Sequence, residues 1–270
     1  IARGGMAEIY RATMPGIGTF EKVVAIKKIL PHLTENEEFI TMLIDEAQIL
    51  VGLNHANIAQ VYDLGKIDDS YYIAMEYIEG IDLSVVVELC HARGTHVPIE
   101  LAVYAVTQML LALEYAHNYV DREGNFVGLV HRDVTPHNVL VSNDGVIKLV
   151  DFGASIDLRA VPNAPFRKTL HAPEAFRRNF KSSSFSAAQL DYDGIASVVH
   201  HLLFGSEMVL TDERELANNL KSYWNVALWK DVFATLLGTP STRSADELAG
   251  LRARVEKALT DGPVTMVKVA

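Results

Sequence analysis

The feature that most constrains the fold is a polar loop followed closely by a second acidic motif. The loop is His131-Arg132-Asp133-Val134-Thr135-Pro136-His137-Asn138, and Asp151-Phe152-Gly153 comes after it. Between the two motifs, β-prone runs at 139–141 and 146–149 flank Asp144-Gly145, a dipeptide typical of a hairpin turn. Each motif alone is a weak signal, and their order around a hairpin makes the pattern specific.

The first third of the chain predicts short strands and one helix. Strand-like runs lie at 9–10 and 23–26, joined by a turn-rich link at 14–18, and again at 58–64 and 71–77. Between these pairs a helix is expected, because apolar side chains recur at helical spacing in Phe39, Met42, Leu43, Ala47 and Leu50. We expect a small, mostly antiparallel sheet with one helix.

Helices dominate the pattern from Ile81 onward. A long helix is expected at 99–118 after Pro98, and a buried one is expected to end at Gly205. Two further helices are expected at 222–237 and 244–259. The apolar stretch 101–116 is too short and too polar to span a bilayer.

Composition excludes several classes of protein. The 270 residues are 49% hydrophobic and 21% charged, as in ordinary globular domains, and the net charge of −10 argues against nonspecific nucleic-acid binding. Cys90 is the only cysteine, so no disulfide forms within the chain. The chain begins at Ile1 rather than at Met, which fits a fragment, so the lack of a signal peptide says little about the parent protein.

Together these motifs resemble those of protein kinases, with Val24-Ala25-Ile26-Lys27 upstream and Ala172-Pro173-Glu174 downstream. The resemblance implies an α+β, two-lobed kinase domain over 1–270, with an N-lobe at 1–77 and a C-lobe at 78–260. Up to Asp151 the chain resembles bacterial, myxobacterial-type serine/threonine kinases. Beyond it, segments such as Gln189-Leu190-Asp191-Tyr192-Asp193-Gly194 resemble Bub-type checkpoint kinases.

The resemblance implies a role for each residue that carries chemistry. Lys27 is expected to hold the α- and β-phosphates of ATP and to pair with Glu46 on the helix, and Asp133 is expected to accept the proton of the substrate hydroxyl. Asn138 and Asp151 are the expected Mg²⁺ ligands. Arg132 is expected to bind a charge on the activation segment, and Asp191 is expected to anchor the catalytic loop. Thr169 in that segment is either a phosphosite or the threonine that braces Asp133, and its closeness to Ala172-Pro173-Glu174 favours the second role.

The same resemblance implies a nucleotide site. Gly4 and Gly5 are expected at the phosphate-binding turn, Met75 is the expected gatekeeper, and Glu76 and Ile78 are expected to bind adenine through their backbones. The remaining expected contacts are Asp82 with the ribose, and the side chains that enclose the adenine ring, Ile9, Ala25 and Leu140. Leu50, His131 and Phe152 are expected to stack in the core.

Three departures from the family pattern weigh on activity. Ala2 and Ala7 stand where the phosphate-binding turn usually has glycine. Glycine lets backbone N–H groups come close to a phosphate. Thr135 stands where serine/threonine kinases place a lysine, with Lys168 as a candidate substitute. The third departure is that the activation segment is short. Despite Thr135, Pro136 in the polar loop argues against the tyrosine-kinase form of that loop.

The favoured function is ATP- and Mg²⁺-dependent phosphorylation of serine or threonine on a protein substrate. A pseudokinase acting as a nucleotide-binding or partner-binding module is the alternative, and a small-molecule kinase is a third reading. We expect no nucleic-acid partner, no membrane contact by the domain itself and a cytoplasmic location for it. Oligomeric state and membrane anchoring of a longer parent protein stay open.

Overall fold

The computed structural model describes residues 2–3, 7–15, 21–34, 37–67, 70–152, 156–157, 188–206, 208, 226–237 and 245–261. The described part divides into a sheet-rich N-terminal portion and a mainly helical remainder, as the sequence predicts.

The N-terminal portion is a five-stranded antiparallel sheet in the order β1-β2-β3-β5-β4. Its strands are β1 (Ala2–Arg3), β2 (Ala7–Pro15), β3 (Glu21–Ile29), β4 (Val61–Ile67) and β5 (Ser70–Glu76). Two helices lie between β3 and β4, the short α1 (Pro31–Thr34) and the longer α2 (Glu37–Gly52). A small core of Ala7, Ile29, Ile40, Leu43 and Ile73 joins α2 to the sheet.

The helical portion contains α3 (Leu83–Ala92), α4 (Ile99–His117), α5 (Gln189–Phe204), α6 (Val226–Leu237) and α7 (Ala245–Asp261). Short strands accompany these helices. A three-stranded sheet has the order β6 (Gly80–Asp82), β8 (Val139–Ser142), β9 (Ile147–Leu149), and β7 (Leu129–Val130) pairs with β10 (Ile156–Asp157). A 3-10 turn, Pro136–Asn138, leads into β8.

The predicted turns and helix ends at two glycines are confirmed. Gly145 has φ +80° in the turn between β8 and β9, which pair in antiparallel fashion. Gly205 has φ +68° and ends α5, with its N–H donating to the carbonyl of His201 at 2.8 Å. Both positions lie in the left-handed region that favours glycine.

Helix α4 is the centre of the large core. The stretch 101–116 was expected to be too short and too polar to span a bilayer, but the 19-residue helix that contains it could cross a membrane by length and composition alone. Eleven residues of this helix are nevertheless buried, among them Ala105, Val106, Ala112 and Leu113 at 0% exposure. It packs against α5, α7 and β9. The surroundings are those of a core helix in a folded domain, since the residues it buries contact other parts of the same chain.

The chain between α2 and β4 ties the sheet to the helical portion. Buried Asn57 donates from Nδ2 to the carbonyl of Ile147 at 2.8 Å and accepts from the N–H of Leu149 at 2.8 Å. Ile58 pairs with Leu149 in a single parallel bridge, and the N–H of Ala59 donates to the same residue. These bonds fix β9, and therefore the residues that follow it, against the end of α2.

Two predicted boundaries are shifted in the structure. The link at 14–18 was expected to be a turn, but β2 runs to Pro15, which pairs with Glu21 of β3, so residues 14 and 15 belong to the strand, and residues 16–18 lie outside the described residues. Residues 58–60 were expected to begin a strand of the sheet, but β4 begins at Val61 and Ile58 pairs with β9. In this second segment long-range pairing overrides local β-propensity.

Candidate active site

Strand β3 and the end of β9 bring a cation and an anion together. Lys27 Nζ contacts a carboxylate oxygen of Asp151 across 124 positions of sequence, and the lysine side chain is only 15% exposed. Asp151 has φ +63°, an uncommon backbone conformation for a residue other than glycine. Such local strain persists where surrounding bonds fix it, and it is frequent at functional sites.

The polar loop holds a second carboxylate in place. Asn138 Nδ2 donates to Asp133 Oδ2 and to the Asp133 carbonyl, each at 2.9 Å. The backbone carbonyl of Asn138 accepts from the N–H of Val150 at 2.9 Å, so Asn138 lies beside the residue that precedes Asp151. Among the described residues none donates to Asn138 Oδ1, and none bonds to Asp133 Oδ1. Both oxygens therefore remain available to a bound group.

A fully buried carboxylate anchors this loop from below. Asp191, at 0% exposure in the first turn of α5, accepts the N–H of His131 at 2.8 Å and that of Arg132 at 2.6 Å. His117 Nε2 lies 2.7 Å from the same carboxylate, and its Nδ1 lies 3.1 Å from the hydroxyl of Tyr192. The expected anchoring of the loop by Asp191 therefore has a geometric basis.

The histidine of the loop connects it to the segment after β9. Buried His131 places Nε2 3.0 Å from the carbonyl of Val150, and its Nδ1 accepts the N–H of Asp133 at 3.2 Å. Its ring lies 4.4 Å from that of Phe152. Phe152 and Leu50 belong to the same buried core. The three residues expected to stack therefore share one hydrophobic environment, with His131 adding two polar bonds.

Close backbone approach also positions the loop. A Cβ at Gly194 of α5 would lie 2.6 Å from Val134 Cβ and 2.7 Å from the Val134 carbonyl oxygen. Both distances are shorter than atoms of this kind can tolerate, so only glycine lets α5 pack against the loop at this point.

The residues of the expected adenine pocket lie on neighbouring strands. Ala25 is buried on β3 and is paired with Met75 on β5, while Ile9 on β2 is paired with Lys27. Leu140 lies on β8 of the helical portion. Ile78 follows β5, and no described residue bonds to its backbone N–H or carbonyl. Both of its backbone groups are thus available to a ligand.

Asp82 has a local role that the sequence analysis missed. Its Oδ1 accepts the N–H groups of Ser84 and Val85, each at 3.0 Å, and it also accepts the Ser84 hydroxyl, so it caps α3. The Ser84 hydroxyl lies 2.9 Å from His137 Nδ1 on the polar loop. An aspartate directly before a helix is an ordinary capping signal, so this role was detectable from sequence.

Glu76 likewise does more than was expected. Lys148 Nζ on β9 lies 2.8 Å from Glu76 Oε1 and 2.9 Å from Oε2, and Glu76 Oε2 accepts the N–H of Gln60 at 3.1 Å. The lysine side chain is 15% exposed and the glutamate 27%. No local pattern marks this pair, because its partners are 72 positions apart.

Some sequence predictions fall outside the described part of the structure. Gly4 and Gly5 lie outside it, in the sequence between β1 and β2. The backbone of Glu46 lies on α2, but its side chain is not described. Thr169, Lys168 and the downstream Ala172-Pro173-Glu174 also lie outside the described residues.

The donors at this site suit a hard cation. Asn138 and Asp151 offer amide and carboxylate oxygen, the ligands that Mg²⁺ prefers. In the part of the chain that the structure describes, no group of three or more His, Cys, Asp or Glu side chains could hold a metal on its own. A Mg²⁺ ion here would therefore take its remaining ligands from water and from a bound phosphate, as is usual for this ion.

The chain is similar to known protein kinases. The family model described as "Protein kinase domain" matches residues 1–244. The chain is 39% identical over 153 residues to tyrosine-protein kinase MasK of Myxococcus xanthus, covering 57% of this chain and 24% of MasK. It is 39% identical over 158 residues to serine/threonine-protein kinase PrkC of Bacillus subtilis, covering 58% of this chain and 22% of PrkC. The chain thus spans about a quarter of the length of these curated relatives.

A solved structure shows the same fold. The crystal structure of the Mycobacterium tuberculosis PknI kinase domain matches with a TM-score of 0.67 at 24% identity, covering 94% of this chain and 93% of that chain. The expected α+β fold, with an antiparallel-sheet N-lobe and a helical C-lobe, is confirmed. With Lys27, Asp133, Asn138 and Asp151 set in that fold and a family model matched across most of its length, the chain belongs to the protein kinase domain family.

Proposed function

We propose that this domain transfers the γ-phosphoryl group of ATP to serine or threonine hydroxyls of a protein substrate. The observation that carries the proposal is the convergence of two carboxylates. Asp133 is held by Asn138, and Asn138 is bonded through its backbone to Val150, next to Asp151. Phosphoryl transfer depends on positioning and charge stabilisation, which such a fixed polar cluster supplies.

In this proposal Asp133 is the base. Its Oδ2 is held by Asn138, which leaves Oδ1 to accept the proton of the substrate hydroxyl. The hydroxyl oxygen then forms a bond to the γ-phosphorus while the bond from phosphorus to the bridging oxygen breaks, and ADP leaves. Asp191 acts through the backbone of the loop. Its carboxylate accepts the N–H groups of His131 and Arg132, and these two bonds help to fix the position of Asp133.

Binding of Mg-ATP involves residues from both lobes. Asn138 and Asp151 supply oxygen ligands to Mg²⁺, which when bound neutralises the charge that develops on the phosphates. Lys27 holds the α- and β-phosphates, and its contact with Asp151 keeps the ammonium group beside the metal ligand. Support for the adenine contacts comes from the available backbone groups of Ile78 and from the positions of Ile9, Ala25, Met75 and Leu140.

The finer assignments belong to the proposal as well. We place the N-lobe at 1–77 and the C-lobe at 78–260, since the five-stranded sheet ends with Glu76. The identity to MasK supports a myxobacterial-type lineage for the first part of the chain. The Bub-type likeness rests on the sequence motifs after Asp151. We propose that the domain is cytoplasmic. We also propose that Glu46 pairs with Lys27 and that Arg132 binds a charge on the activation segment.

Serine/threonine specificity is the part most open to direct test. PrkC and the Mycobacterium tuberculosis protein PknE, 32% identical over 211 residues, carry serine/threonine-protein kinase in their names, whereas MasK is named a tyrosine-protein kinase. Pro136 in the polar loop favours serine and threonine. Phosphoamino-acid analysis of the labelled product separates the two specificities, and phosphotyrosine as the main product would contradict the proposal.

The experiment that tests transfer uses radiolabelled ATP with Mg²⁺, the chain itself and a generic basic protein as acceptors. Asp133→Asn and Asp151→Ala are compared with the unaltered chain, and Asp144→Asn serves as an exposed control on the hairpin between β8 and β9. We expect label with the unaltered chain and with Asp144→Asn, and none with the two site variants. Unaltered labelling by Asp133→Asn would contradict its role as the base.

Thermal shift with ATP and Mg²⁺ separates the enzyme from the pseudokinase. A domain that is stabilised by nucleotide yet transfers no label to any acceptor would be a binding module rather than a kinase. We expect Asp133→Asn to retain the shift, since Asp133 is not a metal ligand in this proposal. Asp151→Ala is expected to lose most of the shift that depends on Mg²⁺.

A further inference from the structure

A cavity lies away from the catalytic residues of the candidate active site. It has a volume of about 720 Å³ and lies where the end of α2 and the chain leading into β4 face β9 and the segment after α4. Its lining includes Val51, His55, Gln60, Glu76, Arg122 and Lys148. Of the residues assigned to the nucleotide site, only Glu76 lines it, and that assignment uses the backbone of Glu76 rather than its carboxylate.

The lining is rich in hydrogen-bond donors. Among the described residues Lys148 Nζ bonds only to Glu76, which is the one carboxylate among the described lining residues, so the charge of this carboxylate is already balanced. Arg122 is exposed, and no described residue pairs with its guanidinium group. The lining therefore holds a surplus of one cation, in a chain whose net charge is −10.

His55 adds a further donor. Its Nδ1 accepts the N–H of Asn57 at 3.2 Å, which leaves the proton of the neutral ring on Nε2. No described residue accepts from that nitrogen. Burial, and then the charge of Lys148, lower the pKa of His55 below its usual 6.5, which favours the neutral ring.

The segment that carries Arg122 has a well-defined, hydrogen-bonded backbone. Arg122 lies in a hairpin that Asp121 organises, with Oδ1 accepting the N–H groups of Glu123 at 3.1 Å and Asn125 at 2.7 Å. Asp121 also donates its own N–H to the carbonyl of Asn125 at 2.9 Å. The N–H of Val127 closes the hairpin on the carbonyl of Tyr119 at 2.9 Å. Arg122 is thus presented from a segment with a defined backbone.

We propose that this cavity is a binding site for a small anionic molecule that carries carboxylate or phosphate groups. Arg122 and Lys148 bind the anion, and His55 Nε2 donates to it. Such a molecule competes with Glu76 for Lys148. Glu76 is the last residue of β5, two positions before Ile78, whose backbone groups are assigned to adenine. Because the lining comes from both lobes, an occupant also connects them.

The test uses citrate and pyrophosphate as separate probes, at constant ionic strength, without nucleotide or Mg²⁺. Binding is measured by calorimetry and located by the NMR shifts of amides in 51–62 and 119–128. We expect saturable binding of at least one probe with a Kd of about 1 mM. Binding of citrate alone identifies a carboxylate site, and binding of pyrophosphate alone identifies a phosphate site.

Variants make the test specific. Arg122→Glu is expected to weaken binding about tenfold, the effect of about one charge-assisted hydrogen bond. Arg93→Glu changes another exposed arginine that does not line the cavity, and it is expected to leave the affinity unchanged. The proposal is overturned if neither probe saturates, if Arg122→Glu binds as well as the unaltered chain, or if the shifts fall only near Lys27 and Asp133.

Discussion

The backbone N–H of Arg132 donates to the buried carboxylate of Asp191 at 2.6 Å, and Arg132 itself holds a φ of +69°. The bond joins a strained residue of the polar loop to the first turn of α5. A non-glycine residue in this conformation costs of order 1–3 kcal/mol, and it persists only where surrounding bonds require it. Asp191 supplies that requirement, since it binds the neighbouring N–H of His131 as well.

Asp191→Asn should therefore reduce activity without unfolding the domain. The amide keeps the shape of the side chain but offers one acceptor oxygen where two are used. We expect kcat to fall about 100-fold, as displacement of a positioned group by about 1 Å does. The free energy of unfolding should fall by about 1–3 kcal/mol, from one unsatisfied buried group. Kinetics and urea unfolding measure the two effects.

Asp144→Asn is the matched control for that variant, because Asp144 is exposed in the turn between β8 and β9. It should leave both kcat and stability unaltered. An Asp191→Asn protein with the kcat of the unaltered chain would show that the loop holds its conformation without these two bonds.

Gly194→Ala should damage the same loop through packing. The new Cβ would lie 2.6 Å from Val134 Cβ, so either α5 or the loop must shift. We expect a loss of about 1–3 kcal/mol in the free energy of unfolding and a kcat lowered about 100-fold. Alanine is otherwise the better helix former, so a loss of stability isolates the steric clash.

Gly250→Ala is the control for this substitution, since Gly250 also lies inside a helix. Its Cβ would meet only the flexible end of Arg254, at 3.2 Å. We expect this variant to gain about 0.5–1 kcal/mol. Equal stability changes at the two glycines would contradict the close packing of α5 on Val134.

The sequence predicted the fold and the polar site where local signals were strong. The motifs around Asp133 and Asp151, the turn at Gly145 and the end of α5 at Gly205 all rest on residues close together in the chain. The pair of Lys148 with Glu76 could not be predicted, because its 72-residue separation leaves no periodic or turn signal. It exists because β9 is bonded to residues 57–59, and the next residue, Gln60, accepts the N–H of Glu76 at its carbonyl.

The misplaced start of the strand at 58–60 has the same cause. Ile58 lies in a β-prone run, but its partner is Leu149 in another part of the chain, and the sheet begins only at Val61. Asp82 differs from these cases. Its position directly before α3 is a local capping signal, but the family resemblance led us to expect only a ribose contact there.

Thr135→Lys should raise turnover. Thr135 stands where serine/threonine kinases place a lysine, and its side chain makes no capping bond to the 3-10 turn that follows, so the substitution removes no such bond. An added cation near the transferred phosphoryl group should increase kcat about tenfold through charge stabilisation. Thr135→Met, which has similar reach without the charge, is the control. Equal rates for the two variants would mean that another cation already fills this role.

The pH dependence of stability should carry a contribution from His55. Burial, followed by the charge of Lys148, lowers the pKa of His55 below 6.5 in the folded domain. As the pH falls through 6.5, the unfolded chain takes up a proton that the folded domain does not, so the free energy of unfolding decreases. The decrease ends below the folded pKa, where both states are protonated.

In His55→Gln this contribution is absent, while the titration of every other group is shared. Urea unfolding of both proteins at about pH 7.5 and about pH 5 should therefore show a steeper acid loss for the unaltered chain. Parallel curves would mean that His55 titrates alike in the folded and unfolded states, and that Lys148 does not act on its ring.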